Sequence, residues 1–297
     1  MMKTVEEYLR QLKKELNGCD RATVQDALSD AEEYLRNTLE TAQAERPDLT
    51  EADALPPIIE KYGAPDEIAA AYREIESRLP TALAPSKRPE GKSLAARFFG
   101  VMADPKAWGA LLYLLFFAFF SGTVYFTWAV TGISLSLGLI VLIVGLPFIG
   151  LFVLSVQGIA LVEGRVVEAL LGVRMPRRPI FPGRKLGWWE RFKKLIADKH
   201  TWSSLLYMIV QFPLGTAYLT VFVCLLSLAL YGIAIPVIEL GFDFHPVMFN
   251  GLEVFTPAWA MPLTVIGGIL LIILTMHLAK LLGRTHGQMA KTLLVKY

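Results

Sequence analysis

RFFGVMADPKAWGALLY, residues 97–113, returns as RFKKLIADKHTWSSLLY, residues 191–207. At a constant offset of 94 positions, eight of the seventeen residues are identical. About one identity is expected by chance at ordinary composition. The shared positions are Arg97/Arg191, Phe98/Phe192, Ala103/Ala197, Asp104/Asp198, Trp108/Trp202, Leu111/Leu205, Leu112/Leu206 and Tyr113/Tyr207. The repetition predicts a duplicated structural unit.

Each copy predicts a surface helix followed by a turn into a membrane. Apolar residues recur at helical spacing before the shared Asp, and the second copy adds basic residues that suit an anionic leaflet. Asp104 and Asp198 are expected to cap the next helix. Trp108 and Trp202 suit the boundary between headgroups and hydrocarbon. We interpret these four residues as structural anchors and caps, with anionic lipids as binding partners of the surface helices.

Composition and charge spacing indicate four membrane spans. The 297 residues are 54% hydrophobic, and the mean hydropathy is +0.46. Residues 107–162 contain no Lys, Arg, Asp or Glu, which leaves room for two spans with a turn near Gly132. Residues 201–279 contain no Lys or Arg and predict two more, near 203–231 and 258–280.

Basic residues predict the orientation. Ten Lys and Arg lie in residues 163–202 and four more follow residue 279, whereas the two other loops have none. The N-terminus lacks the apolar core that a secretory signal needs. We therefore expect both termini to be cytoplasmic. Because each unit has two spans, we also expect both units to share one orientation.

The first 79 residues differ from the rest. They carry 10 Lys/Arg against 18 Asp/Glu, net −8, whereas residues 80–297 are net +10. Their helical periodicity and the phrase YGAPDEIAAAYREIE predict a small acidic helical bundle. Residues 80–92 are rich in proline and predict a linker. The fold class is therefore all-α, with a membrane domain over residues 93–297.

Two tandem two-span repeats are predicted in the membrane domain, over residues 93–172 and 186–297. The repeat continues beyond the opening phrase as Gly122-Thr-Val-Tyr125 and Gly215-Thr-Ala-Tyr218. Gly164-Arg165 and Gly283-Arg284 close the two units.

Several phrases resemble known families. DPKAWGALLY…GTVYF, ALVEGRVVEALLGVRMP and TWSSLLYMIVQFPLGTAY resemble the four-span sensor domain that precedes kinase modules in many bacterial histidine kinases. VEEYLRQLKKELNG through IIEKYGAPDEIAAAY resembles the HAAS domain (DUF1700 group), often found in membrane proteins encoded beside PadR-like transcription regulators. The resemblance implies signalling at a bacterial cell membrane, with a cytosolic partner bound through residues 1–79.

The sequence contains none of the common catalytic motifs. There is no Walker-type loop, G-x-S-x-G, H-E-x-x-H or C-x-x-C. We expect no enzymatic activity, no cofactor, no metal ion and no direct nucleic-acid binding.

The loop of residues 238–259 is a candidate input surface. Its acidic and imidazole side chains stand between aromatic residues, which suits a cation, a cationic amphiphile or lipid headgroups. The candidate ligand-sensing residues are Glu239, Asp243, His245 and Glu253. The alternative is an aromatic cap over the bundle, and a metal site of Asp243 and His245 is disfavoured.

Three charges are predicted at the inner edge of the spans: Glu163, Arg165 and Arg284. We expect Glu163 to pair with Arg165, which would leave the spans without buried charges and argues against an ion-coupled transporter. The acidic domain is expected to dock on residues 163–202, which are net +6, in competition with anionic lipid.

The leading functional hypothesis is a non-enzymatic membrane sensor that relays a membrane or extracytoplasmic state to a cytosolic partner. The alternative is a small transporter or permease subunit for lipid-like or hydrophobic compounds. A third is a structural chaperone for another membrane complex. The sequence leaves the oligomeric state open, because Ala118 and Gly122 permit close packing within or between chains.

Overall fold

The computed structural model describes all residues except 1, 3, 79–93, 140–144, 177–192, 194–195, 243–247, 250–251, 254–255 and 296–297. The predicted all-α class is confirmed. In the described part, the only strands are Met248–Phe249 and Leu252–Glu253, which form one antiparallel pair. The expected linker, residues 80–92, lies outside the described residues.

Four helices build the N-terminal domain: α1 (Val5–Glu15), α2 (Arg21–Glu45), α3 (Glu51–Tyr62) and α4 (Pro65–Arg78). Their apolar stripes form a core of their own, separate from that of the spans. Its fully buried large side chains are Tyr8, Leu12, Leu16, Leu35 and Leu55. Such a core is what an amphipathic helical bundle needs in order to fold.

The turn between α3 and α4 follows from the YGAPDE phrase. Gly63 ends α3 with φ at +119°, a conformation that favours glycine. Pro65 begins α4, and Glu67 accepts a hydrogen bond of 3.0 Å from the N–H of Ala64. The Tyr8 hydroxyl donates to the carbonyl of Gly63 at 2.8 Å, so α1 holds this turn in place.

Four long apolar helices follow a short helix, α5 (Leu94–Phe99). The first span, Pro105–Leu139, contains a π-helical turn at Tyr113–Phe117. The second is Gly145–Leu171, the third Lys199–Phe242 and the fourth Met261–Leu294. Each exceeds the roughly 20 residues that cross a bilayer.

The expected turn near Gly132 is wrong, because the helix continues to Leu139. An added Cβ at Gly132 would lie 1.9 Å from the Phe152 ring of the second span. Gly132 therefore serves close helix packing, which an isolated glycine inside a helical pattern can also indicate.

The two capped entries repeat in detail. The Asp104 carboxylate accepts from the N–H of Lys106 at 3.0 Å, and the Asp198 carboxylate accepts from the N–H of His200 at 3.1 Å. The Trp108 indole donates to the carbonyl of Met102 at 2.8 Å. The Trp202 indole donates in the same way to the carbonyl of Ile196 at 2.9 Å. Each Asp and Trp therefore fixes one turn of chain ahead of a span.

The repeats nevertheless pack in opposite directions, contrary to the expected shared orientation. Leu205 and Met208 of the third span join the core cluster of Tyr125 and Ala129, near the far end of the first span. Where the first and third spans cross, Gly122 lies against Gln211 and Gly215 lies against Ala118, so the two helices run in opposite directions. A repeated sequence specifies each unit but not the direction in which two units pack.

Contacts of the fourth span agree with this arrangement. Asp104 binds Lys280, whereas Asp198 and Leu294 line one cleft. Lys280 and Leu294 are 14 residues apart, about 21 Å along a helix. The two capped entries therefore contact the fourth span about 21 Å apart along its axis.

Substitution of Asp104 would measure how much such a cap contributes to the free energy of unfolding. Burial alone would raise the pKa of its carboxyl, but the hydrogen bonds from Lys280 and the Lys106 N–H lower it. We expect Asp104→Ala to destabilise the purified protein by about 1 kcal/mol or more. Asp104→Asn keeps a capping oxygen and should lose less, as measured by unfolding in detergent. Equal losses for the two variants would mean that the cap contributes nothing.

Candidate functional site

A buried carboxylate lies inside the bundle. Glu163 of the second span is only 1% exposed. Its Oε1 accepts hydrogen bonds from the hydroxyls of Tyr113 at 2.5 Å and Tyr207 at 2.9 Å. Its Oε2 accepts from the Tyr125 hydroxyl at 2.9 Å. Three hydroxyl donors thus replace the water that a carboxylate would otherwise need.

A buried imidazole completes the cluster from the fourth span. His286 is 1% exposed, and its Nε2 lies 3.0 Å from the Tyr113 hydroxyl and 3.3 Å from the Tyr207 hydroxyl. Gln211 of the third span donates to the Tyr113 hydroxyl at 3.1 Å. The ring of Tyr218 packs edge-on against the imidazole. We call these seven residues the polar cluster, and all four spans contribute to it.

The repeat explains how the tyrosines meet. Tyr113 and Tyr207 each stand nine residues after a capping Asp, about 14 Å along the helix. Because the first and third spans run in opposite directions where they cross, the two tyrosines come from antiparallel helices and reach the same carboxylate oxygen.

Glu163 and His286 have no counterpart of the same residue type in the other repeat. When Gly164 is aligned with Gly283, Leu282 stands opposite Glu163 and Val167 stands opposite His286. Each repeat therefore supplies two tyrosines, whereas the carboxylate comes only from the first repeat and the imidazole only from the second. This asymmetry separates the polar cluster from the structural features that both copies share.

The expected pairing of Glu163 with Arg165 is wrong. Arg165 is exposed and binds the Glu168 carboxylate at 2.8 Å and the carbonyl of Pro176 at 3.1 Å. Residues two apart on a helix do not face each other, so Glu163 points inward when Arg165 points outward. Arg284 is also exposed. The expectation that the spans bury no charged residue is also wrong, because Glu163 is buried.

An apolar segment covers the cluster on one side. Val173 and Met175 follow the second span and are each 1% exposed. An added Cβ on Gly287, the neighbour of His286, would lie 2.5 Å from Val173, and one on Gly164, the neighbour of Glu163, would lie 3.5 Å from Met175. The same segment therefore packs against the second span, which carries Glu163, and against the fourth span, which carries His286.

The loop expected to sense a ligand is described only in part. Glu239 is 7% exposed, and its carboxylate accepts from the Thr256 hydroxyl at 2.6 Å and from the Thr256 N–H at 3.3 Å. Asp243 and His245 lie outside the described residues, and for Glu253 the structure gives the backbone strand alone. That these four side chains form a ligand-sensing surface therefore stays a prediction.

The N-terminal domain contacts the fourth span close to the cluster. Lys291, five residues after His286, forms an ion pair with Asp20. Asp20 is also the N-cap of α2, accepting from the N–H of Ala22 at 2.9 Å. Gln25 of α2 lines a cleft together with residues of the second, third and fourth spans. The expected docking on residues 163–202 stays a prediction, because residues 177–192 and 194–195 lie outside the described part.

Fold and site together define a multi-pass membrane protein with four apolar helices and a helical domain in front. The family model described as "Putative sensor" matches residues 115–294, more than half of the chain, and the chain belongs to that family. The HAAS model matches residues 7–71. Both resemblances drawn from the sequence are thereby confirmed. No curated protein and no solved structure matches the chain.

Proposed function

We propose that the polar cluster is the input site of a membrane sensor whose output is the N-terminal domain. One observation carries this proposal. The fourth span holds His286 in the cluster and, five residues later, Lys291 on Asp20. Five residues are about 7.5 Å of helix. A rotation or shift of this span that follows a change in the cluster would therefore move the contact with the domain.

Asp20 is well placed to receive such a movement. Its carboxylate holds the first turn of α2, and its N–H donates to the Glu76 carboxylate of α4 at 3.0 Å. Loss of the ion pair with Lys291 would free the capping carboxylate and loosen two helices of the domain together. The HAAS domain would then present a different surface to a cytosolic partner.

The partner we propose is a PadR-like transcription regulator, on the strength of the HAAS match. We further propose that the protein lies in the bacterial cell membrane with both termini in the cytoplasm, as the basic residues favour. The ion pair of Asp20 with Lys291 supports a shared side for the two termini. Anionic lipids would bind the basic residues before the third span.

Hydrogen–deuterium exchange of the full chain in lipid nanodiscs tests the relay. Lys291→Gln should raise amide exchange severalfold over the first turns of α2 and leave the α1 and α3 core unchanged. Glu163→Gln should change exchange in the same α2 turns, because it alters the cluster. Arg284→Gln is the matched control, since it removes an exposed cation from the same helix.

The relay would be disproved by one pattern of results. If Lys291→Gln loosens α2 while Glu163→Gln leaves α2 exchange at the wild-type level, then the domain docks but does not report the cluster. Gel filtration and circular dichroism of each variant separate this result from misfolding.

Transport is a second candidate, which the buried Glu163 now favours. Ionisable residues inside spans often mark ion pathways. Flux of a lipid-like compound or of protons in liposomes that contain only this protein would support transport, whereas exchange coupled to the cluster without flux supports sensing.

A further inference from the structure

We infer that the polar cluster binds one proton, which His286 and Glu163 share through the hydroxyl of Tyr113. The inference names the input of the proposed sensor and rests on that proposal for its signalling consequence. The proton site itself rests on the geometry of the cluster.

The count of donors sets the direction of the hydrogen bonds. Each tyrosine hydroxyl has one proton. Tyr113 and Tyr207 both direct theirs to Oε1 of Glu163. When Glu163 is ionised, the Nε2 of His286 must therefore carry a hydrogen and donate to Tyr113. Donation then runs in one direction, from imidazole to hydroxyl to carboxylate, over contacts of 3.0 Å and 2.5 Å.

The other imidazole nitrogen is the position where a proton can bind. In the described part of the chain, the buried Nδ1 of His286 has no hydrogen-bond partner. A proton bound there produces an imidazolium beside the carboxylate. Nε2 can then pass its hydrogen to the Tyr113 oxygen as Tyr113 passes its own to Glu163. The products are a neutral carboxylic acid, an intact tyrosine and an imidazole with its hydrogen on Nδ1.

The surroundings suit a proton better than a larger ligand. The titratable groups that face the pair are Tyr113 and Tyr125 from the first span and Tyr207 and Tyr218 from the third. Val173 and Met175 cover the cluster with apolar atoms. A proton needs no cavity, whereas a larger ligand would.

The exposed Arg284 lies outside the buried cluster, and three other basic side chains pair elsewhere. Arg165 binds Glu168, Lys280 binds Asp104 and Lys291 binds Asp20. The ionised carboxylate with a neutral imidazole therefore leaves one uncompensated charge inside an apolar bundle, which is unfavourable. Uptake of one proton neutralises the cluster. It also reverses the donation between Tyr113 and Glu163, and thereby changes how the first and second spans hold each other.

Infrared difference spectroscopy of the full chain in nanodiscs tests the inference, with the pH changed between about 8 and about 5. The wild-type protein should gain the carbonyl band of a protonated, buried carboxylic acid. Glu163→Gln should abolish that band, and Glu163→Asp should shift it. Glu168→Gln is the matched control, because Glu168 lies on the same helix and its carboxylate pairs with Arg165 outside the cluster, and it should leave the band unchanged.

His286→Gln tests the route. It should reduce the band or slow its appearance after a pH jump. The inference is overturned if the wild-type protein shows no carboxylic acid band, or if the band persists in Glu163→Gln. If the Glu163 carbonyl band appears but amide exchange in α2 does not change with pH, the proton site is supported and the sensor proposal is refuted. If amide exchange in α2 changes with pH but no Glu163 carbonyl band appears, the sensor proposal is supported and the proton site is refuted.

Discussion

Gly215→Ala is expected to force the first and third spans apart. A Cβ on Gly215 would lie 2.2 Å from the carbonyl oxygen of Ala118, and one on Gly122 would lie 2.8 Å from the carbonyl oxygen of Gln211. Both obstacles are backbone atoms of the opposite helix, which cannot rotate away. We expect the free energy of unfolding to fall by about 3 kcal/mol or more. The movement should also draw Gln211 away from Tyr113.

Two adjacent glycines provide the control. A Cβ on Gly268 of the fourth span would lie 2.6 Å from the carbonyl oxygen of Ala229, whereas one on Gly267 would meet nothing within 4 Å. Gly267→Ala should match or exceed the wild-type stability, because alanine favours helix by about 1 kcal/mol. Gly268→Ala should destabilise as Gly215→Ala does. Unfolding in mixed micelles measures all three, and equal results for Gly215→Ala and Gly267→Ala would refute the packing argument.

This packing shows what the sequence could and could not predict. Ala118 and Gly122 stand four apart and permit close helix packing within or between chains, and hydropathy predicted the helices themselves. The partner of that contact, the third span of the same chain, required the fold. Periodicity reports which face of a helix is small or apolar, but it does not report which helix covers that face.

The burial of Glu163 was not predicted, because Glu163 stands two positions from Arg165 at the end of an apolar run. Sequence proximity suggested an ion pair, whereas helix geometry places the two side chains on different faces. A signal was nevertheless present in the tyrosines. A tyrosine hydroxyl that enters a span needs a hydrogen-bond partner. Both repeats place two tyrosines inside a span: Tyr113 and Tyr125 in the first, and Tyr207 and Tyr218 in the second. This pattern predicts a hydrogen-bond acceptor between the spans.

His286 was harder to predict. It lies among Arg284, Gln288 and Lys291, and such neighbours are typical of a solvated helix end. The structure buries it because Gly283 and Gly287 let the helix approach Ala110 and Val173. This depends on how the second repeat packs against the first, which no local pattern records.

Tyr113→Phe is expected to have the largest effect among the tyrosine variants. Phenylalanine keeps the ring and its packing but removes a hydroxyl that contacts Glu163, Gln211 and His286. Each buried polar group that loses its partner costs about 1–3 kcal/mol. We expect a loss of about 3 kcal/mol or more in the free energy of unfolding, together with a slower appearance of the Glu163 carbonyl band.

Tyr125→Phe is the matched variant, because the Tyr125 hydroxyl makes one hydrogen bond, to Glu163, and does not contact His286 in the described structure. It should cost about 1 kcal/mol and leave the rate of the infrared change intact. Gln211→Leu added to Tyr113→Phe should recover part of the lost stability, since without Tyr113 the buried amide keeps only a 3.5 Å hydrogen bond to the Ser121 hydroxyl. If the two tyrosine variants lose the same stability and show the same infrared rate, then Tyr113 is only one of several donors to Glu163. In that case the link from His286 to the carboxylate does not run through its hydroxyl.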